Sequence, residues 1–318
     1  LTCFFTVCNR KQLPEALALG ESIRTHHPDA RFAIGFADQL ASLSLPKGVE
    51  LIDIDRLKIP QLEEMSLRYH DFEFVHAVRP WFARFLLEEF SQSDSWVFLA
   101  PTTCVYHPLD EIIDLPSDFL LTPHITQGLP SSTSLDDKRI LNMGMFHSNA
   151  WVARKTPDVM NLLQWWSERT IDRAFLDLCN GMCLDQLWLN YAPIHVKNWV
   201  IIRNSNWHIG LHNLLQNPIE LNGQSPTLWQ KNVLTIDFAG AQGFHPVWSD
   251  HLDVVTGNRV WATLFKTYHN RVKSYANPSW GEPSHYGRPT QVSSLRTFRK
   301  SVKSEIGHIL QLIDKIDI

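Results

Sequence analysis

The residues best placed to do chemistry stand where apolar runs stop. Trp96-Val97-Phe98-Leu99 is a short apolar run, as a strand buried on both faces requires, and it ends at Ala100-Pro101-Thr102 before apolar residues resume at Cys104-Val105-Tyr106. Pro101 has no amide hydrogen and a fixed φ, so the strand must end or kink there. Such a break lies at the carboxyl edge of its sheet, where open α/β sheets bind ligands. Asp38 ends a second apolar run, Arg31 to Ala37. Its carboxylate can accept hydrogen bonds from a ligand or hold a turn. Arg79 precedes Pro80, a residue suited to a helix's first turn, and Arg84 follows on the same expected helix, to about Phe90. A lone helical Arg is usually solvated or ion-paired, so Arg79, at the expected helix start, is the better anion contact. Asp185-Gln186 joins a carboxylate to an amide, and is also an ordinary helix N-terminus.

The elements that must position these residues come next. Leu1 to Cys8 reads as a buried strand, followed by a polar turn and a helix from Pro14 to His27 that Pro28 stops. With Arg31 to Ala37 this makes strand–helix–strand, the opening of a parallel sheet. Val49 to Ile54, Phe119 to His124 and Trp199 to Ile202 are further strands, and Ile59 to Tyr69 a helix. Thr156-Pro157 is a strong helix start, with Val159, Leu162, Leu163 and Trp166 as its core stripe. Gln127 to Lys138, rich in Gly, Pro, Ser and Asp, reads as a loop and a candidate lid.

Bulk properties narrow the class. A chain of 318 residues, 44% hydrophobic, can bury a large core. A net charge of −4 gives no basic field for nucleic acid. Fifteen His and twelve Trp suit sugar recognition by stacking and hydrogen bonding, although buried aromatics are the commoner explanation. The five Cys are scattered; Cys179 and Cys183 have no partner pair at zinc-ligand spacing, and reduced thiols fit a reducing cytoplasm. No run approaches the ~18 apolar residues of a membrane span and no charged-then-apolar leader opens the chain, so a cytoplasmic location is expected.

The frame around the central break resembles the GT-A-fold glycosyltransferases, specifically the bacterial group related to the glycogenin and galactosyltransferase type. Those proteins read Tyr-Leu-Asp-Pro-Asp where this chain has Phe98-Leu99-Ala100-Pro101-Thr102. Thr6 and Asn9 match their Thr-x-x-Asn opening, and Ala37-Asp38 their Ala-Asp. Gly144 to Arg154 takes the place of their Gly-x-Tyr-Asn-x-Gly-Phe strand, with His147 where Asn is usual and Asn149-Ala150 for Gly-Phe. Trp165-Trp166 and the Asp185-Gln186…Asn190 pattern are kept. Asn206 to Asn213 matches a further segment loosely.

The resemblance implies an α/β GT-A fold, with a central mixed, mostly parallel sheet flanked by helices. It implies hexosyl transfer from a nucleotide-diphosphate sugar, UDP-sugar first, to a glycan or lipid-linked glycan acceptor, in cell-surface polysaccharide synthesis. Asp185 and Gln186 would act at the anomeric carbon, where a carboxylate and an oriented amide oxygen stabilise oxocarbenium character. Thr6, Asp38, Arg79, Arg84, Ala100, Thr102, His147, Asn149, Asp237 and His245 would line the donor site, with Asp38 on ribose or uracil. His208, His212 and Asn213 would wall the acceptor, although single histidines are more often ordinary polar-core residues.

The departures bear on metal. In the family the two aspartates of the break and a later His hold a divalent cation; here they are Ala100, Thr102 and Asp237. The leaving diphosphate still needs positive charge, since two like charges about 4 Å apart interact by roughly 4 kcal/mol at an effective ε of about 20. Three readings follow: a metal-independent enzyme with Arg79, Arg84, His147 or His245 as the positive side; a site rebuilt around Asp237 with weakly held Mn2+ or Mg2+; or a fold that has lost catalysis and keeps sugar or nucleotide binding. A working enzyme with weak or absent metal dependence is favoured, and no metal ligand is assigned. The domain is expected over 1–275, with a linker over 276–291. From Val292 to Ile318, Leu295, Phe298, Val302, Ile306 and Ile309 recur at helical spacing beside Arg296, Arg299, Lys300 and Lys303. Such a basic amphipathic helix suits peripheral contact with the inner face of a membrane, or docking on protein.

Overall fold

The strand–helix–strand opening consists of β1 (Thr2–Cys8), α1 (Leu13–His26), β2 (Arg31–Phe36) and β3 (Glu50–Asp53). The computed structural model describes residues 1–39, 49–90, 92–129, 135–241, 245–280 and 283–290. The chain continues through α2 (Leu62–Arg68), α3 (Asp71–Glu89), β4 (Ser95–Leu99), β5 (Thr103–Val105), α4 (Asp110–Ile113), β6 (Phe119–Pro123), α5 (Asp137–Met143), β7 (Phe146–Ala153) and α6 (Pro157–Thr170). Shorter pieces follow: β8 (Leu176–Asp177), β9 (Met182–Cys183), α7 (Ala192–His195), β10 (Trp199–Ile201) and β11 (His208–Ile209). Last come β12 (Glu220–Asn222), β13 (Ser225–Leu228), β14 (Lys231–Asn232), β15 (Thr235–Asp237) and α8 (Arg259–Ser274).

Seven strands form the main sheet in the order β10-β6-β7-β4-β1-β2-β3. Neighbours are parallel except at β7, which runs antiparallel to β4 and β6. This is the mixed, mostly parallel sheet flanked by helices that was expected. Side chains alternate across it: Phe5, Val7, Phe98 and Trp151 join a core with α3 and α6, while Phe4, Cys8, Val97 and Leu99 join one with α1. Both faces are covered, so the strands read as uninterrupted apolar runs.

α3 differs from the sequence expectation. It starts at Asp71, where His70 and Glu73 form a capping box, and Pro80 therefore lies in its interior. Proline there costs about 3 kcal/mol. Burial of Phe74, Val75, Val78, Phe82 and Leu86 along the same helix outweighs that, at about 1.5–3 kcal/mol for each large side chain. Arg79 is thus a mid-helix residue.

A second sheet, β11-β15-β5, leaves the main one at the break. After β4, Thr103 N donates to Ala100 O at 3.0 Å, closing the turn, and β5 pairs antiparallel with β15 so that Thr103 faces Asp237. Phe238 N donates to Thr102 O at 3.0 Å. This register brings Asp237 to the Ala100–Thr102 corner.

Leu1–Arg288 form one compact unit. Within the stretch read as a linker, Tyr286 is buried and stacks on Phe74 at 5.3 Å, and Arg288 N donates to Tyr69 O at 2.8 Å. In the stretch read as a lid, residues 130–134 lie outside the described residues, and Asp136 caps α5 through Arg139 N. The expected helix over 292–318 also lies outside them. No helix among the described residues is long and apolar enough to cross a membrane.

Candidate active site

β1 sits between β2 and β4, so connections leave it in opposite directions and a crevice opens at the strands' carboxyl ends. A pocket of ≈ 40 Å³, room for a few waters, occupies that crevice. Gln12, just after β1, lines it with Ala100, Pro101 and Thr102 from the corner, His76 and Arg79 from α3, Asn149 from β7, and His245.

Arg79 is 4% exposed. Its NH1 donates to Asn149 Oδ1 (3.2 Å) and Ser148 Oγ (3.4 Å) and lies 3.7 Å from Asp185 Oδ2, while its Nε has no hydrogen-bond partner. The guanidinium rests over the Phe98 ring, its carbon 5.3 Å from the centroid. Burial pulls it down from its usual pKa, opposed by Asp185 and Asp237.

Asp185 is fully buried and accepts from His76 Nδ1 (2.8 Å) and Ser148 Oγ (3.3 Å). It stands just before the 3-10 turn over Gln186–Tyr191, yet its side chain caps no backbone amide, so the helix-terminus reading does not describe it. A carboxylate can only accept here, so the His76 proton is on Nδ1 and its Nε2 carries the lone pair. Desolvation first, then Arg79, lowers the His76 pKa, with Asp185 opposing, which keeps the ring neutral at pH 7. Gln186 is engaged at both ends, accepting from Ser148 N (3.2 Å) and donating to Met143 O (3.0 Å).

Asp237 forms the floor beside the corner. Its Oδ1 accepts from Thr102 Oγ1 (2.5 Å) and Ala239 N (2.9 Å), and its Oδ2 from Asn149 Nδ2 (2.9 Å). Behind it lie four buried histidines, His124, His147, His208 and His212, all with Nε2 unpartnered. The His147 ring centre is 4.7 Å from that of His124 and 4.3 Å from that of His212. Desolvation lowers His124 and His208 to about 4, and His147 and His212 well below the ordinary value, so all four are neutral at pH 7. Ligand-type atoms of His147, His208 and Asp237 lie within 4.8 Å of one another.

The structure therefore brings Arg79, Ala100, Thr102, Asn149 and His245 to the pocket, with Asp185, Gln186 and Asp237 directly behind. His245 Nδ1 accepts from Val247 N (3.2 Å) and Trp248 N (3.1 Å), which leaves its proton on Nε2.

Other expected residues lie elsewhere. Arg84 pairs with Glu88 at 3.0 Å and lines a separate 390 Å³ hollow with Trp81 and Ile171. Five residues along a helix turn it roughly 140° from Arg79. Asp38 has 0% exposure and its carboxylate accepts from Arg10 Nε (3.0 Å), Arg10 NH2 (3.0 Å), Gln39 N (2.9 Å) and His285 N (2.9 Å). It ties the strand end to Arg10 and to the returning 283–288 segment. Thr6 is buried within β1, its hydroxyl unpartnered. His208 and His212 are buried around Asp237, and Asn213 braces their loop through Gly210 N and His208 O. None of the three lines the pocket.

His76 and Ser148 were not singled out from sequence. Glu73, His76 and Arg79 at i, i+3 spacing were the available signal for His76, once the helix is known to start at Asp71. Ser148 carries no local signal.

The cation of the resembling family does not fit the corner. Ala100 offers a methyl group, and the Thr102 hydroxyl is committed to Asp237. Hard divalent ions need several oxygen ligands, which this corner does not supply.

No protein-family profile and no curated protein matches the chain. Among solved structures the chain is similar to the galactosyltransferase LgtC in complex with donor and acceptor sugar analogs, at 13% identity over 87% of this chain and 98% of that one, with a TM-score of 0.47. An active site mutant of LgtC gives 13% identity, the same coverages and a TM-score of 0.48. A glycosyltransferase involved in the glycosylation of the major capsid of PBCV-1 gives 12% identity over 80% of this chain and 98% of that one, with a TM-score of 0.45.

Proposed function

We propose that the protein is a GT-A-type glycosyltransferase that moves a hexose from a nucleotide-diphosphate sugar, a UDP-sugar first, to a glycan acceptor. One observation carries the reading: a buried guanidinium and a buried histidine, both held by Asp185 from behind, line one pocket at the sheet's switch point. Arg79 offers an unpartnered Nε–H for a phosphate oxygen, and His245 an Nε2–H. The charge of Asp185, a residue away from solvent, opposes the positive charge that develops at the anomeric carbon. His76, oriented by Asp185, has Nε2 available for the acceptor hydroxyl's proton.

The test is isothermal titration with UDP-, GDP- and CMP-sugars, with Mn2+ and with EDTA, followed by assay of donor hydrolysis. Saturable binding of one donor with slow hydrolysis is expected; no heat with any donor sinks the reading. Ala100 and Thr102, which bring no carboxylate to the corner, favour a second reading, a non-catalytic sugar or nucleotide binder. Binding without hydrolysis or transfer to any glycan would select it.

A further inference from the structure

The pocket floor is short of positive charge. One guanidinium, Arg79, lies 3.7 Å from Asp185, and the second buried carboxylate, Asp237, faces His208 and His147 at 3.8 and 4.0 Å. Buried charges are normally paired or coordinate metals. His208 shows what is missing. The Thr235 hydroxyl donates to Trp207 O at 2.7 Å, so it accepts from His208 Nδ1–H at 2.9 Å. That fixes the proton on Nδ1 and leaves the lone pair on Nε2, which lies 3.8 Å from Asp237 Oδ2. Two acceptors facing each other at this distance repel unless a cation lies between them. His147 Nε2, 4.0 Å from the same oxygen, is buried without a partner.

We propose that His208 Nε2, His147 Nε2 and Asp237 Oδ2 hold a divalent transition ion of the zinc class. Two imidazoles and one carboxylate form a borderline-soft set that suits Zn2+ or Co2+ and disfavours Mg2+ and Ca2+. The Nδ1–H of His208 held by Thr235 is the second-layer hydrogen bond that metal-binding histidines usually make. Bonds of about 2.1 Å at tetrahedral angles put ligand atoms roughly 3.4 Å apart, so the 3.8 and 4.0 Å His–Asp separations must shorten by about half an ångström and the histidine nitrogens, within 4.8 Å of each other, must also close up. His147 is the ligand that moves. Its Nδ1 accepts from Asn149 N at 3.1 Å, which keeps the proton on Nε2 without the ion. Taking up the ion moves that proton from Nε2 to Nδ1, which can then no longer accept from Asn149 N. Three protein ligands leave a position for water or a ligand oxygen, as in catalytic zinc sites. The ligands come from β7, β11 and β15, not from the corner, and the ion's binding does not rest on the transferase reading.

The whole chain, dialysed against EDTA, is titrated calorimetrically with Zn2+ and by visible absorption with Co2+, whose d–d bands report nitrogen and oxygen ligation. One ion per chain is expected, with no heat from Mg2+. His208→Gln and Asp237→Asn should each abolish stoichiometric uptake. Thr235→Val, which touches the ring and not the ion, should weaken binding about 10–100-fold. Cys179→Ser, removing an exposed thiol, should change nothing. If either ligand variant fails to fold by circular dichroism, the uptake by the unaltered chain and the Thr235→Val shift decide. Folded protein that takes up neither ion, binding unchanged in Thr235→Val and the folded ligand variants, or binding lost in Cys179→Ser overturns the proposal. Donor binding by a chain that takes up no ion overturns it while leaving the transferase reading standing.

Discussion

Asp185 is the residue whose charge can be tested apart from its shape. Asp185→Asn keeps the volume and an acceptor for His76 while removing the negative charge. Transfer or donor hydrolysis should fall about 10²–10³-fold with donor affinity little changed. Equal activity in the variant would remove Asp185 from the chemistry. Glu15, on α1, is a second titratable residue with a measurable signature. Desolvation first, then the charge of Asp237, raises its pKa to about 8 from an ordinary 4.5. The unfolded chain releases this proton near pH 4.5 and the folded chain holds it to about 8, so stability falls as pH rises between those values. Each pH unit in that window is worth at most about 1.4 kcal/mol. Glu15→Gln should therefore flatten the decline of the urea midpoint from pH 5 to 8 and be more stable than the parent at pH 8. A parent midpoint that does not decline relative to the variant would show that Glu15 ionises normally.

At the scale of elements, two places where the backbone is left-handed carry testable consequences. Trp229 (φ 48°) and Gln230 (φ 65°) form the two-residue link of the β13–β14 hairpin, both left-handed, and Trp229 is 58% exposed. Such links favour Asn-Gly because both positions need positive φ. Trp229→Asn with Gln230→Gly should stabilise the chain by about 1–2 kcal/mol, read as a higher urea midpoint. No change would mean the hairpin unfolds independently of the core. Gly287 (φ 83°) is the other place: a Cβ there would lie 2.6 Å from Asp71 Cα. Gly287→Ala should detach the 283–288 segment from the start of α3 and lower the melting temperature, and an unchanged melt would deny that contact in solution.

At the scale of the molecule, the compact unit reaches Arg288, beyond the boundary expected near 275. A chain ending after residue 290 should melt cooperatively and at the temperature of the full chain. One ending after 282 loses the buried Tyr286, its stack on Phe74 and the backbone bonds of Arg288. It should be less stable by about 3 kcal/mol or more. Equal melting of the two truncations would place the boundary back near 275.

Local pattern alone determined the frame. Uninterrupted apolar runs specify strands covered on both faces, Thr156-Pro157 starts α6, and Pro101 ends β4, so the corner and its place at the sheet's carboxyl edge were legible. What local pattern could not decide was which distant residues meet. Asp237 faces the corner because β15 pairs with β5 in one register, and a shift by one residue would turn its side chain away. Arg79 and Arg84 part company because α3 begins at Asp71, where tertiary burial overrides the proline's preference for a first turn. Asp38 is consumed by Arg10 and His285, and four scattered histidines become one buried cluster. These outcomes depend on contacts between residues far apart in the chain, which propensity and periodicity do not encode.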